Sequence, residues 1–457
     1  MASSKVIIAA RAVRHKLRAV NALGAFWPAL VRGGKLLARG QVRRFAGKLF
    51  NETATIRDVD AAPVRSGPPL FLAGHILRPG GYDHVVFALL KGLLEAGVNV
   101  CRDSGAIMRF DSYPGAPQPG EAARIVNEPR LAATPPHLLH RFYPDRRTAA
   151  FTMWETDTLP ASSVQALNRC GLVIVPSRWG AECFRSNGVT VPIEVVPLGH
   201  DPKIFTSPLA GGVGSASPGD ANRGAINSPP TRRLASLDVD LPRQGGGEKN
   251  VSQRSVAPPT TFGTAGALDD GGLRKNVQRV IDLFRTAFPD ESDVRLRVKI
   301  TPASPPVNTH RDSRIDVVQR SLSSSELAEW YRSLTAYVNG SFGEGFGLHL
   351  LEAMACGRPL ISTTFGGVGE FFDASVGYEI GYRFIEARNA IYSGRWADPK
   401  NEELIGAMQR VHGNRDETDR LGNLAAARAK LVTWEETARK LIDVLANYGF
   451  LSKYHDN

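Results

Sequence analysis

The sequence alternates short apolar runs with amphipathic runs, and it does so in two separate series. The first series begins near residue 66 with the apolar run 69–75 (PLFLAGH), followed by turn residues at 79–81 and by leucines and valines at helical spacing. The second series begins at residue 261. Strands that alternate with helices in this way form parallel sheets covered by helices on both faces. The pattern therefore predicts an α/β chain with two doubly wound domains.

Ligands of open parallel sheets bind beyond the carboxyl ends of the strands, so the predicted site lies in the cleft between the two domains.

Further elements are expected in both series. A helix is predicted at 277–288. The remaining predicted strands are 98–101, 149–153, 172–176 and 194–197 in the first series, and 261–267, 294–300, 314–318, 336–339 and 359–363 in the second.

A stretch without aromatic residues separates the two series. Between Thr206 and Thr261 the chain has no Phe, Trp or Tyr and is rich in Gly, Ser, Pro, Asn and Arg. Such a stretch cannot bury enough apolar surface to offset the entropy cost of ordering the chain. We interpret it as a disordered linker or insertion, with a docking loop as the alternative.

The positive charge of the chain is concentrated at its N-terminus. The net charge is +11, and residues 1–51 contain 11 Lys or Arg and no Asp or Glu. The remainder has equal numbers of basic and acidic side chains, 45 of each, so a general nucleic-acid surface is not indicated.

The basic arm has two interpretations. Its longest uncharged stretch, residues 19–31, is too short to span a bilayer and lacks the pattern of a secretory signal. It is either a helix lying on an anionic membrane surface, with Phe26 and Trp27 inserted, or a poorly ordered basic tail. The four cysteines show no CxxC spacing, which favours neither a zinc site nor disulfides and indicates a reducing cytoplasm.

The segment 340–363, GSFGEGFGLHLLEAMACGRPLIST, carries the strongest chemical signal. A glycine-rich loop at 340–347 leads from a predicted strand into a predicted helix at 348–355, whose N-terminus favours an anion. Glu352 lies one turn into this helix, where its carboxylate can accept hydrogen bonds from the vicinal hydroxyls of a ribose. Glu344 lies at the other end of the loop and is expected to be free to reach a second polyol.

This arrangement suits a diphosphate flanked by two sugars, as in a nucleotide sugar. The alternative is structural, because glycine-rich loops precede helices in many α/β proteins. Acidic residues near helix starts also commonly serve only to interact with the helix dipole.

The same segment resembles the signature of the retaining glycosyltransferases of family 4 (glycosyl transferases group 1), which have the GT-B fold. Their pattern is a Glu, seven residues and a second Glu, and Glu344 and Glu352 match it directly. His349 stands where the family usually has Pro, a departure that we expect to affect only local geometry. Other stretches with family resemblance are 79–93, 151–160, 173–189, 193–205, 274–288 and 366–373.

The resemblance implies an organisation into five parts: a basic arm at 1–57, an acceptor-side Rossmann-like domain at 58–205, a linker at 206–258, a donor-binding Rossmann-like domain at 259–433 and a C-terminal helix at 434–457 that crosses back to the first domain.

The resemblance also implies roles for single residues. Glu344 would contact the transferred sugar, Lys275 the phosphates and Glu352 the ribose. Glu155 occupies a position near which many members have a catalytic-site His, and we take it as a candidate for sugar or acceptor contact; the adjacent Trp154 is either core or a stacking platform. Further donor-binding candidates are Gly80, Gly81, Arg274, Gly345, Phe346, Gly347 and Leu348.

The implied activity is retaining transfer of a hexose from a UDP- or GDP-type sugar to a carbohydrate or lipid-linked acceptor in cell-surface polysaccharide or glycan synthesis. It would need no metal and no cofactor besides the donor, and would take place in the cytoplasm or at the cytoplasmic face of a membrane. Two alternatives remain at this stage: a non-catalytic nucleotide-sugar-binding subunit, and another GT-B reaction such as sugar-nucleotide epimerisation.

Deletion of residues 1–51 tests the membrane interpretation of the arm. We expect the shortened chain to bind anionic liposomes more weakly than the full chain, because the deletion removes the whole excess of positive charge. Donor binding in solution should not change. Co-sedimentation with vesicles provides the measurement, and equal vesicle binding by both forms would refute the membrane interpretation.

Overall fold

The computed structural model describes residues 68–74, 81–102, 128–142, 144–207, 258–268, 273–387 and 391–451. Within these residues it contains two parallel sheets of six strands each, with helices packed on them. The α/β class with two doubly wound domains is thus confirmed. The basic arm 1–57, most of the predicted linker 206–258 and Gly80 lie outside the described residues.

The first sheet has the strand order β2-β1-β3-β4-β5-β6. Its helices are α1 (Gly81–Glu95), α2 (Ala161–Leu167) and α3 (Arg178–Ser186), and Pro136–Phe142 forms a 3-10 helix. The strands are β1 (Leu70–Gly74), β2 (Val100–Arg102), β3 (Arg130–Ala133), β4 (Thr148–Phe151), β5 (Leu172–Val175) and β6 (Ile193–Val195).

The second sheet has the order β12-β11-β10-β7-β8-β9. Its helices are α4 (Val277–Ala287), α5 (Ser324–Arg332), α6 (Leu348–Ala355), α7 (Asn401–Gly413) and α8 (Arg415–Ala429). The strands are β7 (Thr260–Gly266), β8 (Val294–Ile300), β9 (Ile315–Gln319), β10 (Ala336–Val338), β11 (Leu360–Ser362) and β12 (Gly377–Glu379).

Two parts of the fold were not predicted from the sequence pattern. Strand β3 is a central strand, yet its sequence, RLAA, has no β-branched or aromatic residue to mark it. The antiparallel hairpin of β13 (Tyr382–Glu386) and β14 (Arg395–Pro399) was also not predicted. Strand β13 is largely exposed, so no buried apolar run signals its presence.

The strand order of the second sheet locates a switch point between β7 and β10. These strands are neighbours, but the chain leaves β7 toward β8 and reaches β10 only after β9. The loops that follow β7 and β10 therefore diverge and leave a crevice at the carboxyl edge of the sheet, which is where ligands of such sheets bind.

The last helix, α9 (Trp434–Asn447), packs on α1 in the first sheet's domain. The backbone N–H of His200 donates to Val432 and the N–H of Trp434 donates to His200. Gly92 of α1 lies against Ala438, leaving no room for a larger side chain there. Every helix within the described residues is too short or too polar to cross a bilayer.

The contact beneath α9 yields a stability prediction. A Cβ at Gly199 would overlap the backbone of Thr433 and Trp434, so Gly199→Ala should destabilise the fold by about 2 kcal/mol. Gly406→Ala is the matched control, because Gly406 lies within α7 with no neighbour near its Cβ, and should stabilise by about 0.5–1 kcal/mol. Urea unfolding gives both values; unfolding midpoints that both equal that of the parent protein would contradict the packing.

Candidate active site

Two loops that follow neighbouring strands are held together at the switch point. The turn after β7 contains Arg274, Lys275 and Asn276, the last with a left-handed φ of 53° immediately before α4. The N–H of Phe342 donates to the Arg274 carbonyl at 2.9 Å, and Arg274 Nη1 donates to the Gly343 carbonyl at 2.8 Å. These bonds fix the basic turn against the glycine-rich loop.

Glu344 forms a buried ion pair at this junction. Lys275 Nζ lies 2.7 Å from Oε1 and 2.9 Å from Oε2 of Glu344, and Arg274 Nη1 lies 3.5 Å from Oε2. Glu344 is only 6% exposed, and burial by itself raises its pKa, but the charges of Lys275 and Arg274 outweigh burial and hold the pKa well below its usual range. The expectation that Glu344 is free is wrong: both of its oxygens are held by Lys275.

Glu352 lies in α6 in a different environment. It is 5% exposed, and the Tyr331 hydroxyl donates to its Oε2 at 3.1 Å. Burial raises the pKa of Glu352 to about 8, against smaller opposing effects of Tyr331 and Lys299. Lys299 lies near the end of β8 and its ammonium interacts with this carboxyl, so it belongs to the site rather than to the open surface.

The glycine-rich loop delivers the chain into α6 at Leu348. Gly347 precedes the helix with φ of 90°, a left-handed conformation that suits glycine, and its carbonyl accepts the N–H of Leu350 at 2.8 Å. The N–H groups at the very start of α6, before Leu350, precede the first intrahelical acceptor and face outward from the helix start. Phe346 is buried, and Gly345 packs so closely on Met153 that a side chain would collide with it.

Glu155 joins this cluster from the other domain. Its backbone carbonyl lies against Gly343, where any Cβ would overlap it. Burial raises the pKa of Glu155; Arg274 and Lys275 lower it, whereas Glu344 raises it further, so its carboxyl lies within electrostatic reach of all three. The structure thus brings together Arg274, Lys275, Glu155 and Glu344 from two domains.

His349 is the residue whose place the sequence reasoning misjudged. Its ring centroid lies 5.8 Å from that of Tyr337, and its Nε2 lies 3.9 Å from Glu344 Oε1. Burial and then the charge of Lys275 lower the pKa of His349 to about 3, so the imidazole is neutral at neutral pH. Where the family usually has Pro, this chain therefore places a polar ring in the site. The position of His349 directly after the EGFGL run was the only indication of this in the sequence.

The remaining candidates have simpler surroundings. Trp154 is 2% exposed and its Nε1 donates to the Thr158 carbonyl at 2.9 Å, so it belongs to the core. Gly81 is the first residue of α1. No group of three His, Cys, Asp or Glu side chains suited to a metal ion occurs in the described part of the chain.

The buried carboxyl of Glu352 makes stability depend on pH. Its folded-state pKa of about 8 exceeds the ordinary 4.5, so the folded state binds the extra proton between these values and loses this advantage as pH rises. Between pH 5 and pH 8.5, the free energy of unfolding of the nucleotide-free protein should therefore fall relative to that of Glu352→Gln, by on the order of 3 kcal/mol. Chemical unfolding at both pH values measures it, with the surface variant Glu329→Gln as control. A difference that does not change with pH would contradict the assignment.

Comparison with known proteins identifies similarity to glycosyltransferases. The family model described as Glycosyl transferases group 1 matches residues 260–390, the segment that contains β7, Lys275, Glu344 and Glu352. D-inositol 3-phosphate glycosyltransferase from Paenarthrobacter aurescens is 32% identical over 114 residues, which cover 25% of this chain and 24% of that protein. The counterpart from Frankia alni is 54% identical over 43 residues, covering 9% of this chain and 11% of the relative. The chain thus spans only about a quarter of the first of these relatives and about a tenth of the second.

Solved structures show the same fold over most of the chain. HepE from Anabaena, in complex with UDP and glucose, superposes with a TM-score of 0.56 at 14% identity, covering 84% of this chain and all of that one. Sucrose-phosphate synthase from Thermosynechococcus elongatus gives a TM-score of 0.56 at 14% identity, covering 83% of this chain and 98% of that chain. The chain has the GT-B fold, and together these matches support a glycosyltransferase of the GT-B type.

Proposed function

We propose that the chain is a retaining glycosyltransferase of family 4 that moves a hexose from a nucleoside diphosphate sugar to a hydroxyl of a carbohydrate or lipid-linked acceptor. One observation carries this proposal: Glu344 is buried between Lys275 and Arg274 where the glycine-rich loop enters α6. The site combines cations for a diphosphate with carboxylates for the two flanking sugars.

The donor is bound by groups at the carboxyl edge of the second sheet. Lys275 and Arg274 meet the diphosphate, since an ammonium and a guanidinium both bind phosphate oxygens. The backbone N–H groups from Gly345 to Leu348 add hydrogen bonds at the helix start. Glu352 accepts the ribose hydroxyls, and Tyr331 holds its carboxyl in place.

The same groups lower the barrier to transfer. Negative charge builds on the diphosphate as the bond to the sugar breaks, and preorganised cations in a water-poor site stabilise it most effectively. Glu344 contacts the transferred sugar. Retention of the anomeric configuration rests on the resemblance of the Glu344–Glu352 pair to the family signature.

The named relatives suggest which ligands to try first. HepE was solved with UDP-glucose as well as with UDP and glucose. D-inositol 3-phosphate glycosyltransferases and sucrose-phosphate synthase are named for acceptors or products that carry a phosphate. We therefore propose a UDP-hexose as the donor. We further propose that transfer takes place in the cytoplasm or at the cytoplasmic face of a membrane, in cell-surface polysaccharide or glycan synthesis.

We also propose that transfer proceeds without a divalent metal. Lys275 and Arg274 already supply two positive charges beside the place proposed for the diphosphate. Added EDTA should therefore leave the release of UDP from UDP-glucose unchanged, whereas a loss of activity that Mg²⁺ restores would contradict this proposal.

Calorimetric titration with UDP, GDP and their common hexose conjugates tests the donor site. Glu352→Ala should weaken binding of the preferred nucleotide tenfold or more, roughly the loss of two hydrogen bonds to the ribose hydroxyls. Lys275→Ala should have a similar effect, but it leaves the buried Glu344 with only the longer contact to Arg274. The double variant Lys275→Met/Glu344→Gln removes both charges and separates binding from stability.

Lys430→Ala, an exposed lysine in the same domain, serves as the matched control. Binding of none of these nucleotides, or equal binding by the Lys275 variants and the parent, would refute the donor site. Tight binding of a nucleotide sugar without turnover would favour a non-catalytic nucleotide-sugar-binding subunit.

A further inference from the structure

The hairpin of β13 and β14 reaches from the second domain to the first. Ser393 forms a bridge with Thr158, and the Ser393 hydroxyl donates to the Thr158 carbonyl at 3.4 Å. Arg395 donates through its backbone N–H and its Nε to the two oxygens of Asp157, both at 2.7 Å. The segment that directly follows Glu155 is therefore bound to the hairpin.

The hairpin is also attached to the glycine-rich loop. The N–H of Ala397 donates to the Phe342 carbonyl at 2.9 Å, and the ring centroids of Phe342 and Trp396 lie 5.9 Å apart. The residues before β14 thus lie between the two segments that contribute Glu155 and Glu344.

Tyr392 occupies the position where these contacts converge. Its ring lies 4.8 Å from the ring of Trp154 and 5.7 Å from that of Trp396, centroid to centroid. The guanidinium of Arg274 lies 5.9 Å from the centroid of the Tyr392 ring. Trp154, on which the ring packs, directly precedes Glu155, and as a hydrogen-bonding neighbour the Tyr392 hydroxyl lowers the pKa of the Glu155 carboxyl, which burial raises. Three aromatic or cationic neighbours therefore fix the ring and, with it, the hydroxyl.

The other charged neighbours of Glu155 have opposing electrostatic effects on its carboxyl. Arg274 and Lys275 attract its carboxylate, while Glu344 repels it. Tyr82, whose hydroxyl accepts the Met153 N–H at 2.9 Å, also lies within electrostatic reach of Glu155. When a diphosphate engages the two cations, the Tyr392 hydroxyl remains as a neutral donor that does not compete for it.

We propose that Tyr392 is a positioning residue: its hydroxyl holds the Glu155 carboxylate beside the transferred sugar, and the hairpin thereby forms a third part of the active site. This inference rests on the proposed function. Glu155 touches the sugar, and Tyr392 acts through Glu155. Neither the family signature nor the segment matched by the family model assigns this role to Tyr392.

Kinetics of UDP-glucose hydrolysis to UDP and glucose test the pair without knowledge of the acceptor. Tyr392→Phe keeps the ring and removes the hydroxyl, and should lower kcat about tenfold, the loss of one hydrogen bond to a charged group. The affinity for UDP, which lacks the sugar, should stay within about twofold. Tyr382→Phe is the matched control, since Tyr382 lies on the same hairpin but contacts Phe365 and Phe384.

Two further readouts separate positioning from a merely structural role. In a Glu155→Ala background, Tyr392→Phe should have no additional effect on kcat, because loss of the carboxyl already removes the interaction. The Tyr392 hydroxyl also lowers the pKa of Glu155, so its removal should shift the acidic limb of the kcat profile to higher pH.

The possible outcomes are distinct. A parent enzyme that hydrolyses UDP-glucose while Tyr392→Phe matches Tyr382→Phe would overturn the inference and leave the proposed function intact. A Tyr392→Phe loss in kcat that is as large in the Glu155→Ala background as in the parent would also overturn it. A parent that neither binds nor hydrolyses any nucleotide sugar would overturn both the proposed function and this inference.

Discussion

The ion pair between Lys275 and Glu344 is the contact on which the rest of the site depends. Each residue lies in a loop that leaves one of two neighbouring strands, and their side chains meet at the switch point of the second sheet. Moving two charges out of water costs several kcal/mol per ion, so such a pair persists only where geometry and further hydrogen bonds compensate. Arg274 provides that compensation by binding both the Gly343 carbonyl and Glu344.

The pair also explains how charge is distributed around it. Two cations, Arg274 and Lys275, face the Glu344 carboxylate and the Glu155 carboxyl, whose pKa is raised by burial, while burial keeps His349 neutral. The positive charge of the cluster is thus partly offset without a ligand. A diphosphate must compete with Glu344 for Lys275, and this competition couples donor binding to the position of the carboxylate that contacts the sugar.

The sequence predicted what local patterns encode. The helices 277–287 and 348–355 and the strand 294–300 follow from apolar spacing, and the loop that joins β10 to α6 follows from its glycines. The sequence did not reveal the partners of these groups. The pairing of Glu344 with Lys275 joins residues 69 positions apart, and Tyr392 reaches Glu155 through an inserted hairpin whose exposed strand carries no apolar signal. Such contacts depend on tertiary packing rather than on periodicity.

A crystal structure of the protein with UDP tests the account most directly. The account predicts the diphosphate on Lys275, Arg274 and the N–H groups at the start of α6, with the ribose hydroxyls on Glu352. It further predicts that Lys275 turns at least one of its hydrogen bonds from Glu344 to a phosphate oxygen. Density for UDP at another place in the fold, with the Lys275–Glu344 pair unchanged, would contradict it.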